Sequence, residues 1–121
     1  MVPQARAERV VDEIRSIHGG FGNTAALLEA FRESVLLVPL TTDDRFFTSE
    51  VDGIEWLSAF TDHDALTAFL ARRPDASDRC AAVTGDRILT RILAANTGIV
   101  IDAVSDFPMA LTPDMLTVEE R

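Results

Sequence analysis

The chain reads as an α+β domain, a small mixed sheet of about four to six strands with about four helices packed on it. Three observations predict this class. The run Val35-Leu36-Leu37-Val38 is continuously apolar, as a strand buried on both faces must be. Two strand-like runs, Phe46 to Val51 and Ile54 to Phe60, are separated by Asp52-Gly53, the pair that supplies two positive φ angles to a tight hairpin. Amphipathic helical stretches occur between the strands without a strict strand-helix-strand rhythm.

Taken in order, residues 5–18 predict a first helix. Val10, Val11, Ile14 and Ile17 recur at helical spacing, and Gly19-Gly20 stops the element. Asn23 is placed to cap a second helix that carries Leu27, Leu28 and Phe31 on one face. Pro39 limits the ladder of the apolar strand. In the second hairpin strand, alternation puts Ile54, Trp56 and Phe60 on one face, a stripe read most simply as core. Thr61 followed by Asp64 has the spacing of a capping box. Leu66, Phe69 and Leu70 form the buried stripe of the helix it opens, and Pro74 closes that element. The pair Arg72-Arg73 lies where a helix C-terminus favours cations.

Cys80 to Val83 reads as a short strand, and Thr84 as the cap of a helix with Ile88, Leu89, Ile92 and Leu93 on one face, closed by Asn96 and Gly98. Ile99-Val100-Ile101 is β-branched throughout and predicts another interior strand. Asp106-Phe107-Pro108 turns the chain, and Pro113-Asp114 opens a short terminal helix. The expected organisation is one domain over residues 1–121, with its core from 23 to 111 and a short C-terminal segment, 112–121.

Composition bounds the function. With 121 residues and a hydrophobic fraction of 47%, the chain can bury a core without disulfides or a structural metal. One cysteine, Cys80, cannot form an internal disulfide, and no apolar run is long enough to cross a bilayer, so a cytoplasmic setting is expected. The net charge of −9 repels nucleic acids and anionic membranes and favours a basic protein partner. All eleven basic residues are arginine, which excludes Schiff-base and phosphate-loop lysine chemistry.

Each cluster of reactive residue types has a simpler structural reading. Gly19-Gly20-Phe21-Gly22 precedes a helix, as an anion-binding loop does, but it follows a helix instead of a strand and reads as a connection. Asp62-His63-Asp64 gathers metal-ligand types, yet consecutive residues at a helix start diverge, and carboxylates are favoured there by the helix dipole. The other histidine, His18, is distant in sequence. Cys80 begins an apolar strand, the habit of a buried small hydrophobe more than of a thiolate nucleophile. Asp62 and Asp102 both follow strands, where a carboxylate pair for acid–base work can be built, but turn and cap roles are the simpler account. No metal or cofactor is expected.

Val35-Leu36-Leu37-Val38-Pro39, Leu57-Ser58-Ala59-Phe60-Thr61-Asp62 and Gly98-Ile99-Val100-Ile101-Asp102, in that order, resemble the N-terminal domain of the SseB family, named for an enhanced-serine-sensitivity phenotype in bacteria. The resemblance runs from about Asn23 to Leu111. Asp102-Ala103 stands where the family commonly has asparagine-proline. The resemblance implies an α+β fold and no agreed catalytic residues. Some actinobacterial relatives are connected with type VII secretion, and a sulfur-transfer label attached to namesakes lacks the activated cysteine loop it needs here.

The leading expectation is therefore a non-enzymatic, cytosolic protein-interaction domain, with Trp56, Phe60, Phe107 and Met109 as contact residues wherever they prove exposed. The first alternative is a small-molecule sensor or enzyme that brings Asp62, Cys80, Thr84 and Asp102 together at the strand ends. The second is an acidic immunity- or secretion-type adaptor that matches a basic partner by charge. Homodimerisation fits both protein-contact readings.

Overall fold

The computed structural model describes residues 4–91 and 96–119. The elements run α1 (Glu8–His18), α2 (Thr24–Glu33), β1 (Val35–Pro39), β2 (Thr48–Val51), β3 (Ile54–Ala59), α3 (His63–Leu70), β4 (Cys80–Thr84), α4 (Gly85–Arg91), β5 (Thr97–Ile101), β6 (Met109–Leu111) and α5 (Pro113–Glu119). The mixed α+β architecture agrees with the sequence reading, and the strands divide into two sheets. One has the order β2-β3-β5-β6, with β3 and β5 parallel and the other pairs antiparallel. The other is the antiparallel pair β1-β4. The sheets meet where Leu37 and Phe60 exchange backbone hydrogen bonds of 2.9 and 2.8 Å.

The apolar run of β1 is explained by this position. Leu36 and Val38 join a large core with Leu27 and Phe31 of α2, Leu57 and Ala59 of β3, Ile88 of α4, and Ile99 and Ile101 of β5. Leu37, pointing the other way, joins a second core with Phe47, Phe60, and Leu66 and Phe69 of α3. Both faces of the strand are buried, so every position must be apolar. Each such side chain contributes roughly 1.5–3 kcal/mol of transfer free energy. In the second core the Phe69 ring lies 5.0 Å from Phe60 and 6.2 Å from Phe47.

The hairpin turns at Asp52-Gly53 with φ of 53° and 82°, the two positive angles expected of that pair. Its first strand is shorter than its sequence suggests. Phe46 makes only an isolated bridge with Leu40, and Phe47 leaves the ladder to fill the second core. The predicted Ile54-Trp56-Phe60 stripe needs correction too. The fully buried β3 residues facing the large core are Leu57 and Ala59, whereas Trp56 is half-buried on the opposite face. Gly98, read as a helix stop, lies inside β5 beneath that indole. A Cβ there would come within 2.5 Å of the Trp56 ring.

The caps differ in one instructive respect. Asn23 and Asp62 accept from Ala26 N–H and Ala65 N–H, each at 2.8 Å, and so cap α2 and α3. Thr61, the cap expected from the box spacing, sends its hydroxyl elsewhere. Arg73, just past the Ala71 C-cap of α3, does more than sit at a helix end. Its guanidinium holds Asp75 and lies 4.9 Å from the Phe47 ring centroid. Ile92 and Leu93, expected on the α4 face, lie outside the described residues.

Candidate functional site: the cleft at the ends of the parallel strands

β3 and β5 run side by side in the same direction, Ala59 opposite Ile101, so their carboxyl ends and the loops leaving them lie together. In sheets with parallel strands this edge is where ligands characteristically bind. Here the chain leaves β3 through Phe60-Thr61-Asp62 into α3, and leaves β5 at Asp102. A cleft of about 190 Å³ opens between them. Val11, Ile14 and Arg15 of α1 form one wall, Thr61, Asp62 and Ala65 a second, and Asp102, Ser105, Asp106 and Phe107 the third.

Asp102 is the structural centre of the cleft. Its N–H donates to Ala59 O at 2.9 Å, adding one rung to the parallel pair, and its backbone then takes a positive φ of 54°. The side chain turns inward and is only 7% exposed. One carboxylate oxygen accepts from Thr61 N–H at 2.8 Å and the other from Thr61 Oγ1 at 2.6 Å. Its carbonyl accepts from Ser105 N–H and Oγ at 3.0 and 2.9 Å. One residue thereby clasps the entry to α3 and closes its own turn. Burial pushes the Asp102 carboxyl above the usual carboxylate range, against the opposing pull of the Thr61 hydrogen bonds and with help from the Asp62 charge.

The rim joins Phe107, one of the expected contact residues, to Arg15 and His18, which the sequence assigned to no site. Phe107, 42% exposed, lies edge-on to His18 with the ring centroids 5.5 Å apart, and the Arg15 guanidinium sits 5.5 Å from the same ring. His18 Nε2 lies 2.9 Å from Pro108 O, a distance at which the ring nitrogen must carry the proton and donate. A signal was available in the spacing of α1. Val11, Arg15 and His18 follow one another by four and three residues, a single face of the helix.

The sequence-derived residues fall in different places. Asp62 and Asp102 share the cleft. Cys80 and Thr84 do not join them. They occupy opposite ends of β4, about 13 Å apart at the strand rise. Cys80 packs against the second core, where burial pushes its thiol above the usual range, and Thr84 accepts from Arg87 N–H at the start of α4. Of the four residues, the cleft therefore brings together two. Among the contact candidates, Phe60 is fully buried and leaves the set, Met109 is half-buried against the large core, and Trp56 covers Gly98. Phe107 alone of the four lines the cleft.

Among the described residues, no group of three histidine, cysteine or acidic side chains is arranged to hold a metal, and no helix is long and apolar enough to cross a membrane. None of the curated proteins or solved structures matches the chain. The family model that does match is the SseB protein N-terminal domain, over residues 8–117. Aspartate suits position 102, since it tolerates a positive φ and its carboxylate accepts from Thr61. With 8–117 matched, nearly its whole length, the chain belongs to the SseB family.

Proposed function

We propose that this chain is a non-enzymatic protein-interaction domain whose recognition surface is the strand-end cleft and its Phe107 rim. One observation carries the reading: the two strand-end acids of the cleft, Asp62 and Asp102, are occupied by structure. Both Asp102 oxygens accept from Thr61, and Asp62 caps α3. A general base must instead be within reach of a substrate proton. What the cleft offers outward is an exposed aromatic ring beside an arginine, the side-chain types enriched at binding hot spots. The net charge of −9 favours a basic partner.

The test is affinity capture from the native host, followed by direct binding of the captured protein to purified chain. A specific basic partner is expected, with affinity that falls as salt rises and falls again in Phe107→Ala. Recovery of no specific partner, or a partner indifferent to both salt and Phe107→Ala, refutes the reading. A second reading, a small-molecule sensor, is favoured by the position of the cleft at parallel strand ends. It predicts thermal stabilisation by a metabolite, abolished in the same variant.

A further inference from the structure

A second surface differs from the cleft in chemistry and lies at the free edge of β4. β1 is the only strand paired with β4 among the described residues. The register fixes which backbone groups are left over. Leu40 N–H donates to Arg79 O, and Gly85 N–H to Ser34 O, so residues 36, 38, 81 and 83 make the ladder bonds and the alternate residues of β4 face away from it. Ala82, which is exposed, directs both its N–H and its C=O outward, as Thr84 does its N–H.

Edges of this kind are normally blunted by charge, proline or shortness. β2 carries Glu50, and β6 is three residues long between Pro108 and Pro113. β4, reading Cys-Ala-Ala-Val-Thr, has neither charge nor proline. Alongside it runs a groove of about 380 Å³, floored by Leu40, Phe46 and β4 itself and walled by Arg87 and Arg91. These arginines are one turn apart on α4, exposed, and in no ion pair among the described residues. Arg91 lies 5.7 Å from the Phe46 ring centroid. The groove's carboxylate, Asp44, is held by Arg79 at 2.5 Å, and nearby Asp86 by Arg32 at 3.1 Å. In a chain of net charge −9 this is a local surplus of positive charge beside an open strand. With a screening length of ~8 Å at physiological salt, contact with the two arginines outweighs the distant carboxylates.

We propose that the free edge of β4 docks an extended, acidic peptide segment of a partner protein, which pairs as an added strand and sets its carboxylates against Arg87 and Arg91. Backbone pairing supplies the affinity, and the arginines select acidic over basic sequences. The site is independent of the strand-end cleft.

The test is a display selection of random peptides of about eight residues, long enough to match a strand, on the whole chain. Enriched peptides are expected to combine β-branched residues with Asp or Glu and to lack central proline. Adding one should shift and protect the amides of Ala82 and Thr84. Two variants should each weaken it by about tenfold or more. One is Ala82→Pro, which removes an outward N–H and leaves the ladder to β1 intact. The other is Arg87→Glu/Arg91→Glu, confined to exposed side chains and so decisive even if the proline variant misfolds. Phe107→Ala should bind unchanged. Enrichment of basic peptides, no enrichment, equal binding by the arginine variant, or amide shifts confined to the Phe107 cleft would each overturn the proposal.

Discussion

Replacing Asp102 by alanine tests the clasp most directly. The substitution strips Thr61 of both acceptors, at 2.8 and 2.6 Å, in a residue only 9% exposed. Each unsatisfied donor costs roughly 1–3 kcal/mol. Holding alanine at a φ of 54° adds about 1 kcal/mol. Removing a carboxylate that burial penalises returns part of this, leaving a net loss of about 3 kcal/mol. For a domain of this size the loss corresponds to a fall in Tm of roughly 10 °C. Asp102→Asn separates the contributions. It keeps tolerance for positive φ and an acceptor for Thr61 N–H, while its amide can donate to Thr61 Oγ1 once that hydroxyl turns, so the cost should be about 1 kcal/mol or less. Urea unfolding with an unchanged m-value measures both variants. The clasp is refuted if Asp102→Ala lies within about 1 kcal/mol of the parent, or if Asp102→Asn is equally damaging.

Three further outcomes follow from the same geometry. Because burial raises the Asp102 pKa, the folded chain holds a proton that the unfolded chain has lost between the raised value and the ordinary 3.8; stability from this group therefore grows as pH falls through that window and levels off below it. Unfolding free energies of the parent minus those of Asp102→Asn should show this slope, and a flat difference from pH 7 to about 4 contradicts it. Gly85→Ala should abolish cooperative unfolding, because a Cβ there collides with the Phe31 backbone carbonyl, and a well-folded variant would show that α2 and α4 do not approach so closely. Cys80, with its thiol pKa raised by burial, should react with a thiol reagent at least about tenfold more slowly in the folded chain than in urea, and equal rates would place it in contact with solvent.

Secondary structure was readable wherever local chemistry decides it. Asp52-Gly53 demanded its turn, Asn23 its cap, and Val35 to Val38 a strand with two buried faces. Residues serving long-range contacts were misread. Thr61 has the spacing of a helix cap, yet its hydroxyl goes to Asp102, 41 residues away. Gly98 looks like a helix stop because nothing in its neighbours announces the Trp56 ring above it. Trp56 and Phe60 share a face by alternation, but depth of burial along a strand depends on what packs there, and only Phe60 meets α3.

The candidate sites divide along the same line. From its residues alone this chain is an α+β member of its family, acidic, without lysine, and carrying two aspartates at strand ends. Those properties depend on composition and on neighbours a few residues away. That Asp62 and Asp102 meet while Cys80 and Thr84 stand apart is a consequence of register, since β3 lies parallel to β5 and β4 pairs with β1 instead. Among the described residues, the same pairing leaves one edge of β4 open beneath two arginines. Strand partners are chosen by the burial of whole faces, an energy summed over the folded domain, so no local segment encodes which side chains will share a site.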